Sequence, residues 1–174
     1  MNDFQITDPV VKAYVLLLNT SDIVSRYAES YLSKLGITSS QYTVLVTLSV
    51  CPGPPTLTEL SQRLFRTKNS LTTVIDNMER DGLVKRVRDG ADRRAIRIVT
   101  TEKGIELFKR VRAPSKKLVY HIMSCFAPED LNHFSALLQS LRKKTLEELA
   151  HGDGLDLITD LSTLEITSEY GKRR

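Results

Sequence analysis

The first quarter of the chain shows the hydrophobic pattern of a long amphipathic helix. From Val10 to Leu35, mostly apolar positions recur at alternating steps of four and three residues. Asp8 followed by Pro9 is typical of a helix start, and Gly36 is typical of a helix end. The pattern predicts one helix of about 26 residues. Its apolar stripe is broad for a small domain, so a partner subunit is a candidate to cover it, and an intramolecular core is the alternative.

Three shorter helices are predicted next. Thr38 with Gln41, and Thr56 with Glu59, have the spacing of capping boxes, and "CPGPP" (51–55) separates the two helices. A third helix follows over 68–80. Its apolar positions at i, i+3, i+4 and i+7 predict one buried face, formed by Leu71, Val74, Ile75 and Met78.

The pattern then changes to that of a β-hairpin. "LVKRVR" (83–88) and "RAIRIV" (94–99) predict two strands around an Asp-Gly turn, and Thr101 is expected to cap the helix that follows. Pro114 is expected to kink or split that helix. Pro128 begins a last helix that runs to about residue 148. The segment 149–171 carries five acids and no lysine or arginine, and its structure is left open.

The exposed face of the helix at 68–80 has an unusual composition. It is filled by small polar residues, which are weak helix formers and are therefore more consistent with a contact surface than with plain solvent exposure. Asp76 shares this face and is expected to repel phosphate. The candidate contact residues are Lys68, Asn69, Ser70, Thr72, Thr73 and Asn77.

The composition fits one ordinary domain, and the placement of charge indicates which kind of partner that domain binds. The 174 residues are 41% hydrophobic and carry a net charge of +4. Residues 63–97 hold ten basic and five acidic side chains. This concentration of positive charge suggests a surface that faces a polyanion, and a solvated basic face is the alternative.

The element order predicts a mainly α fold with a small β-hairpin wing, that is, a winged helix-turn-helix domain. The helix at 68–80 would enter the major groove of double-stranded DNA. The hairpin tip would reach the minor groove, where Arg93 and Arg94 would contact DNA and Asp92 would orient one guanidinium.

The stretch "DGLVKRVRDGADRRAIRIVTTEKG" (81–104) resembles the MarR family of bacterial transcription regulators. Asp92 and Arg94 take the family's Asp-x-Arg positions, Thr101 and Gly104 take its Thr and Gly, and Thr100 replaces the usual leucine. The resemblance implies a homodimeric repressor that reads a palindromic operator. Its domains would be a dimerisation helix (1–36), the DNA-binding domain (37–104), the C-terminal dimerisation helices (105–148) and an acidic tail (149–174).

The resemblance also implies a small aromatic or anionic effector. Tyr14, Tyr27 and Tyr31 are candidate contact residues for it, although a place in the hydrophobic core is the interpretation that these positions favour. No cofactor is expected. The histidines and the two cysteines, Cys51 and Cys125, lack metal-ligand spacing. Oxidant sensing by a cysteine and a protein-interaction module are the alternative functions. No catalytic motif is evident, and no apolar run or leader suggests a membrane or secretion, so a cytoplasmic non-enzyme is expected.

Overall fold

The computed structural model describes residues 6–90 and 95–151. The chain divides into two compact units, residues 1–122 and residues 123–174. The described residues form six helices and one two-stranded sheet. In chain order the elements are α1 (Pro9–Lys34), α2 (Ser39–Val50), α3 (Leu57–Leu64), α4 (Lys68–Arg80), β1 (Val84–Arg88), β2 (Ile96–Thr100), α5 (Glu102–Met123) and α6 (Pro128–His151). The predicted mainly α fold with a hairpin wing is confirmed.

Local capping chemistry explains where the helices begin. The Asp8 carboxylate accepts a hydrogen bond from the backbone N–H of Val10 at 2.7 Å, which starts α1. Both predicted capping boxes are present: Thr38 and Gln41 exchange hydrogen bonds at α2, and Thr56 and Glu59 do so at α3. These short-range bonds satisfy backbone donors that a helix start would otherwise leave unpaired.

One hydrophobic core joins α2, α3, α4 and the hairpin. Its residues lie on the inward faces of these elements, with contributions from the end of α1 and from α5, and each is almost fully buried. They are Leu32, Ile37, Val44, Leu45, Leu60, Leu71, Ile75, Met78, Leu83, Val84, Ile98 and Val111. Burial of this continuous apolar surface supplies the main driving force for folding of the winged region.

The hairpin is antiparallel, with Val84 opposite Thr100 and Arg88 opposite Ile96. The second strand begins at Ile96 and ends at Thr100, both later than predicted. It ends later because Thr100 still pairs with Val84 before α5 starts. The loop before α3 continues the sheet on one side, since the Ile98 N–H donates to the Pro55 carbonyl at 2.8 Å. The Thr101 hydroxyl accepts from the Gly104 N–H at 3.1 Å, as expected of the predicted cap.

Of the kink or split expected at Pro114, the split is wrong. α5 continues through this residue from Glu102 to Met123. Proline removes one backbone hydrogen bond and introduces a steric conflict, at a cost of about 3 kcal/mol. Buried residues on both sides of Pro114, namely Val111, Ser115 and Leu118, hold the helix in place. The Ser115 hydroxyl also donates to the Val111 carbonyl at 2.7 Å.

α1 has the predicted length but little intramolecular cover. Leu32 is its one buried residue among those described. The exposed apolar residues follow the helix from its start, and they are Val10, Val11, Tyr14, Leu16, Leu18, Ile23, Val24 and Tyr27. α1 is thus an amphipathic helix whose apolar surface is largely open in the single chain.

The second unit contains α6, and Phe126, which precedes this helix, stacks on Phe134 of α6 with ring centroids 5.4 Å apart. Exposed leucines continue along the helix at Leu137, Leu141 and Leu149. α6 ends at His151, slightly beyond the predicted residue 148. The rest of the acidic tail, 152–174, lies outside the described residues. No helix in the part of the chain described here has the length and apolar character that a membrane span requires.

Candidate nucleic-acid interface

α3 and α4 are joined by a three-residue turn. Phe65 ends α3 in the left-handed conformation, with a φ of 51°. The Arg66 N–H donates back to the Ser61 carbonyl at 3.0 Å, and the Thr67 hydroxyl accepts from the Ser70 N–H at 3.3 Å. The left-handed residue reverses the chain, and the threonine begins the next helix. This gives the short helix–turn–helix arrangement that the sequence predicts.

α4 separates an apolar face from a polar one. Leu71, Ile75 and Met78 are completely buried. Among the predicted contact residues, Lys68, Asn69, Ser70 and Thr73 are exposed, whereas Thr72 and Asn77 are half-buried. One helix therefore carries all six predicted residues, and four of them project into solvent.

Several hydroxyl and amide groups on α4 already form hydrogen bonds within the helix. Thr72 donates to the Lys68 carbonyl at 2.8 Å, and Thr73 donates to the Asn69 carbonyl at 3.4 Å. The Asn77 side-chain oxygen accepts from Arg80 at 2.9 Å. Arg80 is exposed and was missed by the sequence reasoning. Its position eleven residues after Asn69, close to three helical turns, is the signal that could have found it.

Asp76, the acidic residue on this face, is paired with a cation. Arg86 of β1 donates to the Asp76 carboxylate at 2.6 Å and to the Glu79 carboxylate at 2.5 Å. The hydrogen bond from the Arg86 backbone N–H, followed by bonds and charge from its side chain, lowers the pKa of Glu79 despite partial burial. Burial alone would lower the pKa of Arg86, but its bonds to Asp76 and Glu79 raise it.

The base of the wing is fixed to the loop before α3 by Arg97. Its guanidinium pairs with the Asp89 carboxylate and donates to the Pro54 carbonyl at 2.9 Å, with Glu59 at 3.7 Å. These contacts link β2, on which Arg97 lies, to the residue that follows β1, to α3 and to a loop 43 residues earlier in the sequence. Asp92, Arg93 and Arg94, the predicted contacts at the tip, lie outside the described residues.

Several other cations of the basic stretch point into solvent. Arg63, Arg66, Lys68, Arg80, Lys85 and Arg88 are all exposed. Across residues 6–90 and 95–151, no carboxylate oxygen lies within 4 Å of the basic nitrogens of these six side chains. Their positive charge is therefore available to a polyanion, whereas Arg86 and Arg97 mainly organise the site.

Two surface cavities adjoin the winged region. One of about 520 Å³ is lined at the end of α4 by Asp81, at the start of α2 by Gln41 and along α5 by Lys103 and Arg110. The other, of about 290 Å³, includes half-buried Cys51.

The predicted effector contacts lie elsewhere. Tyr14 and Tyr27 are exposed on α1, and Tyr31 is half-buried. No group of side chains suited to a metal ion occurs within the described ranges.

Comparison with known proteins agrees with this geometry. Residues 35–95 match the model of the MarR family. The chain is 31% identical over 123 residues to the HTH-type transcriptional regulator PrsX of Escherichia coli, a match that covers 68% of this chain and 70% of PrsX. It is 28% identical over 126 residues to the HTH-type transcriptional regulator YsmB of Bacillus subtilis, covering 72% of this chain and 86% of YsmB.

A solved structure extends the similarity to the whole fold. The crystal structure of AbsC, a MarR family transcriptional regulator from Streptomyces coelicolor, superposes with a TM-score of 0.75 at 26% identity. The match covers 84% of this chain and 99% of AbsC. The helix–turn–helix, the polar face of α4, the basic hairpin and these relatives lead to one conclusion: the chain belongs to the MarR family of DNA-binding transcription regulators.

Proposed function

We propose that the protein is a homodimeric, cytoplasmic repressor that binds a palindromic operator and is released by a small aromatic or anionic effector. The observation that carries the proposal is the division of α4 into a buried apolar face and an exposed polar face, together with six exposed cations on α3, α4, β1 and the turn between α3 and α4. A polar helix face of this kind, set in positive charge, suits the major groove of DNA.

Each predicted contact has a role in this proposal. Asn69, Ser70 and Thr73 read base edges or phosphates, and Lys68 reaches a phosphate or guanine. Thr72 and Asn77, which are half-buried, support the edge of the same surface. In the wing, Arg93 and Arg94 enter the minor groove and Asp92 orients one of them.

The dimer is supported by the open apolar surface of α1. Contiguous exposed apolar surface on a helix is typical of a protein interface. We assign 1–36 and 105–148 to dimerisation and 37–104 to DNA binding. Two winged domains related by a twofold axis would then read two half-sites of a palindrome about one helical turn apart.

For the effector, Tyr14, Tyr27 and Tyr31 stay the candidate contacts. The 520 Å³ cavity offers a second location, because Asp81 in its lining is the residue that ends α4. There Gln41 donates to the Asp81 carboxylate at 3.1 Å, and Lys103 donates to the Asp81 carbonyl at 2.7 Å. A ligand that disturbed these bonds would change the position of α4.

The test is a gel-shift titration with the promoter region that flanks the gene of this protein, at two salt concentrations. We expect saturable binding that weakens steeply with salt, because each neutralised phosphate releases counterions. Replacing both Arg93 and Arg94 by alanine should weaken binding about tenfold or more and reduce the salt dependence. The double substitution Lys172→Ala, Arg173→Ala, outside the ranges assigned to DNA binding and dimerisation, removes the same charge and serves as the control.

The opposite results would refute the proposal. If the double wing variant binds DNA as tightly as the parent, the assigned role of the wing is wrong. Salt-insensitive association with another protein, together with no preference for any DNA, would favour the protein-interaction module. The proposal assigns no catalytic activity to the chain.

A further inference from the structure

The side of α4 directly opposite its buried face includes an acidic residue. At 100° per residue, Asn69, Thr73 and Arg80 lie within about 30° of the line opposite Leu71, Ile75 and Met78, and Asp76 lies about 45° from it. The Asp76 side chain is 56% exposed. It therefore lies on the surface that the proposed function places in the major groove, about as far from the centre line of that surface as Asn77.

The Asp76 carboxylate is held in a fixed orientation. One oxygen, Oδ1, accepts from the Arg86 Nη2 at 2.6 Å. Arg86 is itself anchored, because Glu79 accepts from its backbone N–H at 2.8 Å and from its Nη1 at 2.5 Å. No described residue donates to the second oxygen, Oδ2. A rigid carboxylate with one oxygen occupied and one open is thus presented outward from the helix.

The chemistry of an ionised carboxylate restricts which base it can contact. It accepts hydrogen bonds and donates none. In the major groove, guanine presents acceptors at N7 and O6, and thymine presents O4 and a methyl group. Adenine presents an amino group beside the N7 acceptor, whereas cytosine presents its N4 amino group without a neighbouring acceptor. Cytosine is therefore the base that fits a fixed carboxylate best.

We propose that Asp76 is a specificity-determining residue that selects a C·G pair at one position of each half-site, with Arg86 as the positioning residue that orients it. This inference rests on the proposed DNA-binding function. It also accounts for an acid within a basic surface: the carboxylate weakens binding to DNA of every sequence, and it discriminates against bases that present only acceptors.

The experiment is selection from a pool of random duplex DNA by the full-length protein, comparing the parent with Asp76→Asn and Asp76→Ala. We expect the parent to prefer cytosine about tenfold at one position per half-site, within the range of single-base discrimination. Asp76→Ala should lose that preference. Asp76→Asn should shift it toward adenine, which an amide can contact with two hydrogen bonds. All other positions should keep their profile.

The matched control is Glu102→Gln, which removes one exposed negative charge from the start of α5. It should leave the selected sequence unchanged. Circular dichroism and thermal unfolding verify that each variant is folded, and Asp76→Asn keeps the shape of the side chain.

Two results overturn the inference in distinguishable ways. If Asp76→Ala selects the same sequence as the parent and binds all DNA more tightly, then Asp76 only restrains Arg86, and the DNA-binding proposal stands. If the parent enriches no sequence at all, the DNA-binding proposal and the role of Asp76 both fail.

Discussion

α1 and α4 are both amphipathic helices, yet only one of them has its apolar face covered by the chain itself. α4 has 13 residues and fully buries three apolar side chains. α1 has 26 residues and buries one, Leu32, near its end. Leu18, near the middle of α1, is 51% exposed. Helical periodicity alone thus predicts an apolar stripe, but not what covers it.

The difference separates two kinds of exposed surface. The exposed side of α4 is polar and lies among cations, whereas the exposed side of α1 is apolar. Because water-exposed apolar surface is unfavourable and charged surface is not, each face suits a partner of different chemistry. A second copy of the chain fits α1, and a polyanion fits α4.

The tight packing of the winged region gives the largest expected effect. A Cβ at Gly104 would lie 2.1 Å from the Leu83 carbonyl oxygen and 2.8 Å from the Thr100 methyl group. Backbone cannot move away as a side chain can, so Gly104→Ala should lower the free energy of unfolding by about 3 kcal/mol. Urea unfolding measures this loss. Gly53→Ala is the control, since nothing lies within 4 Å of its added atom.

The uncovered face of α1 gives the next largest effect. Leu18→Glu should weaken the proposed dimer about thirtyfold, because a charge would replace a leucine whose burial is worth about 2 kcal/mol. The helix content should stay unchanged, since the exposed side chain supports no intramolecular core. Sedimentation over a concentration series measures the dissociation constant. Asn19→Glu adds the same charge at a neighbouring polar position, and equal dissociation by both variants would contradict the assigned interface.

Local chemistry explains which parts of the fold could be predicted. Thr38 with Gln41, and Thr56 with Glu59, are three residues apart, so their capping depends on no distant contact. The apolar spacing within α4 is equally local. The split expected at Pro114 is wrong because buried residues on both sides of it, among them Val111 of the core, keep α5 continuous. Tertiary contacts overrode a local preference there.

In the candidate site, too, local features could be predicted from the sequence and contacts between distant residues could not. The polar residues of α4 follow from helical periodicity. The pairing of Asp76 with Arg86 depends on how β1 returns beside α4, and Arg97 meets Pro54 across 43 residues of sequence. Neither contact has a spacing that a sequence pattern records. Arg80 was missed although periodicity places it on the same line as Asn69.

Loss of the contact that attaches the wing to the loop before α3 should have a smaller effect, in this case on DNA affinity. Arg97→Ala removes the link between the hairpin and Pro54, so the wing should take a less defined position and DNA affinity should fall about fivefold, or about 1 kcal/mol. Fluorescence anisotropy with labelled duplex measures the affinity. Arg97→Lys retains the charge but lacks the guanidinium fork that binds two partners at once. If the lysine variant restores full affinity, charge rather than attachment explains the effect.

The contact between α4 and β1 gives the smallest effect, and it depends on pH. The pKa of Glu79 is lowered in the folded protein, first by the backbone N–H of Arg86 and then by its side chain. A carboxylate with a lowered pKa contributes stability above its unfolded pKa of about 4.3, and that contribution is lost as pH falls through the lower folded value. For a group this exposed to solvent, roughly 0.5 kcal/mol is expected. Urea unfolding at neutral and acidic pH should show a smaller acid-induced loss of stability in Glu79→Gln than in the parent. Equal pH dependence in both proteins would mean that this contact does not stabilise the position of α4 against the wing.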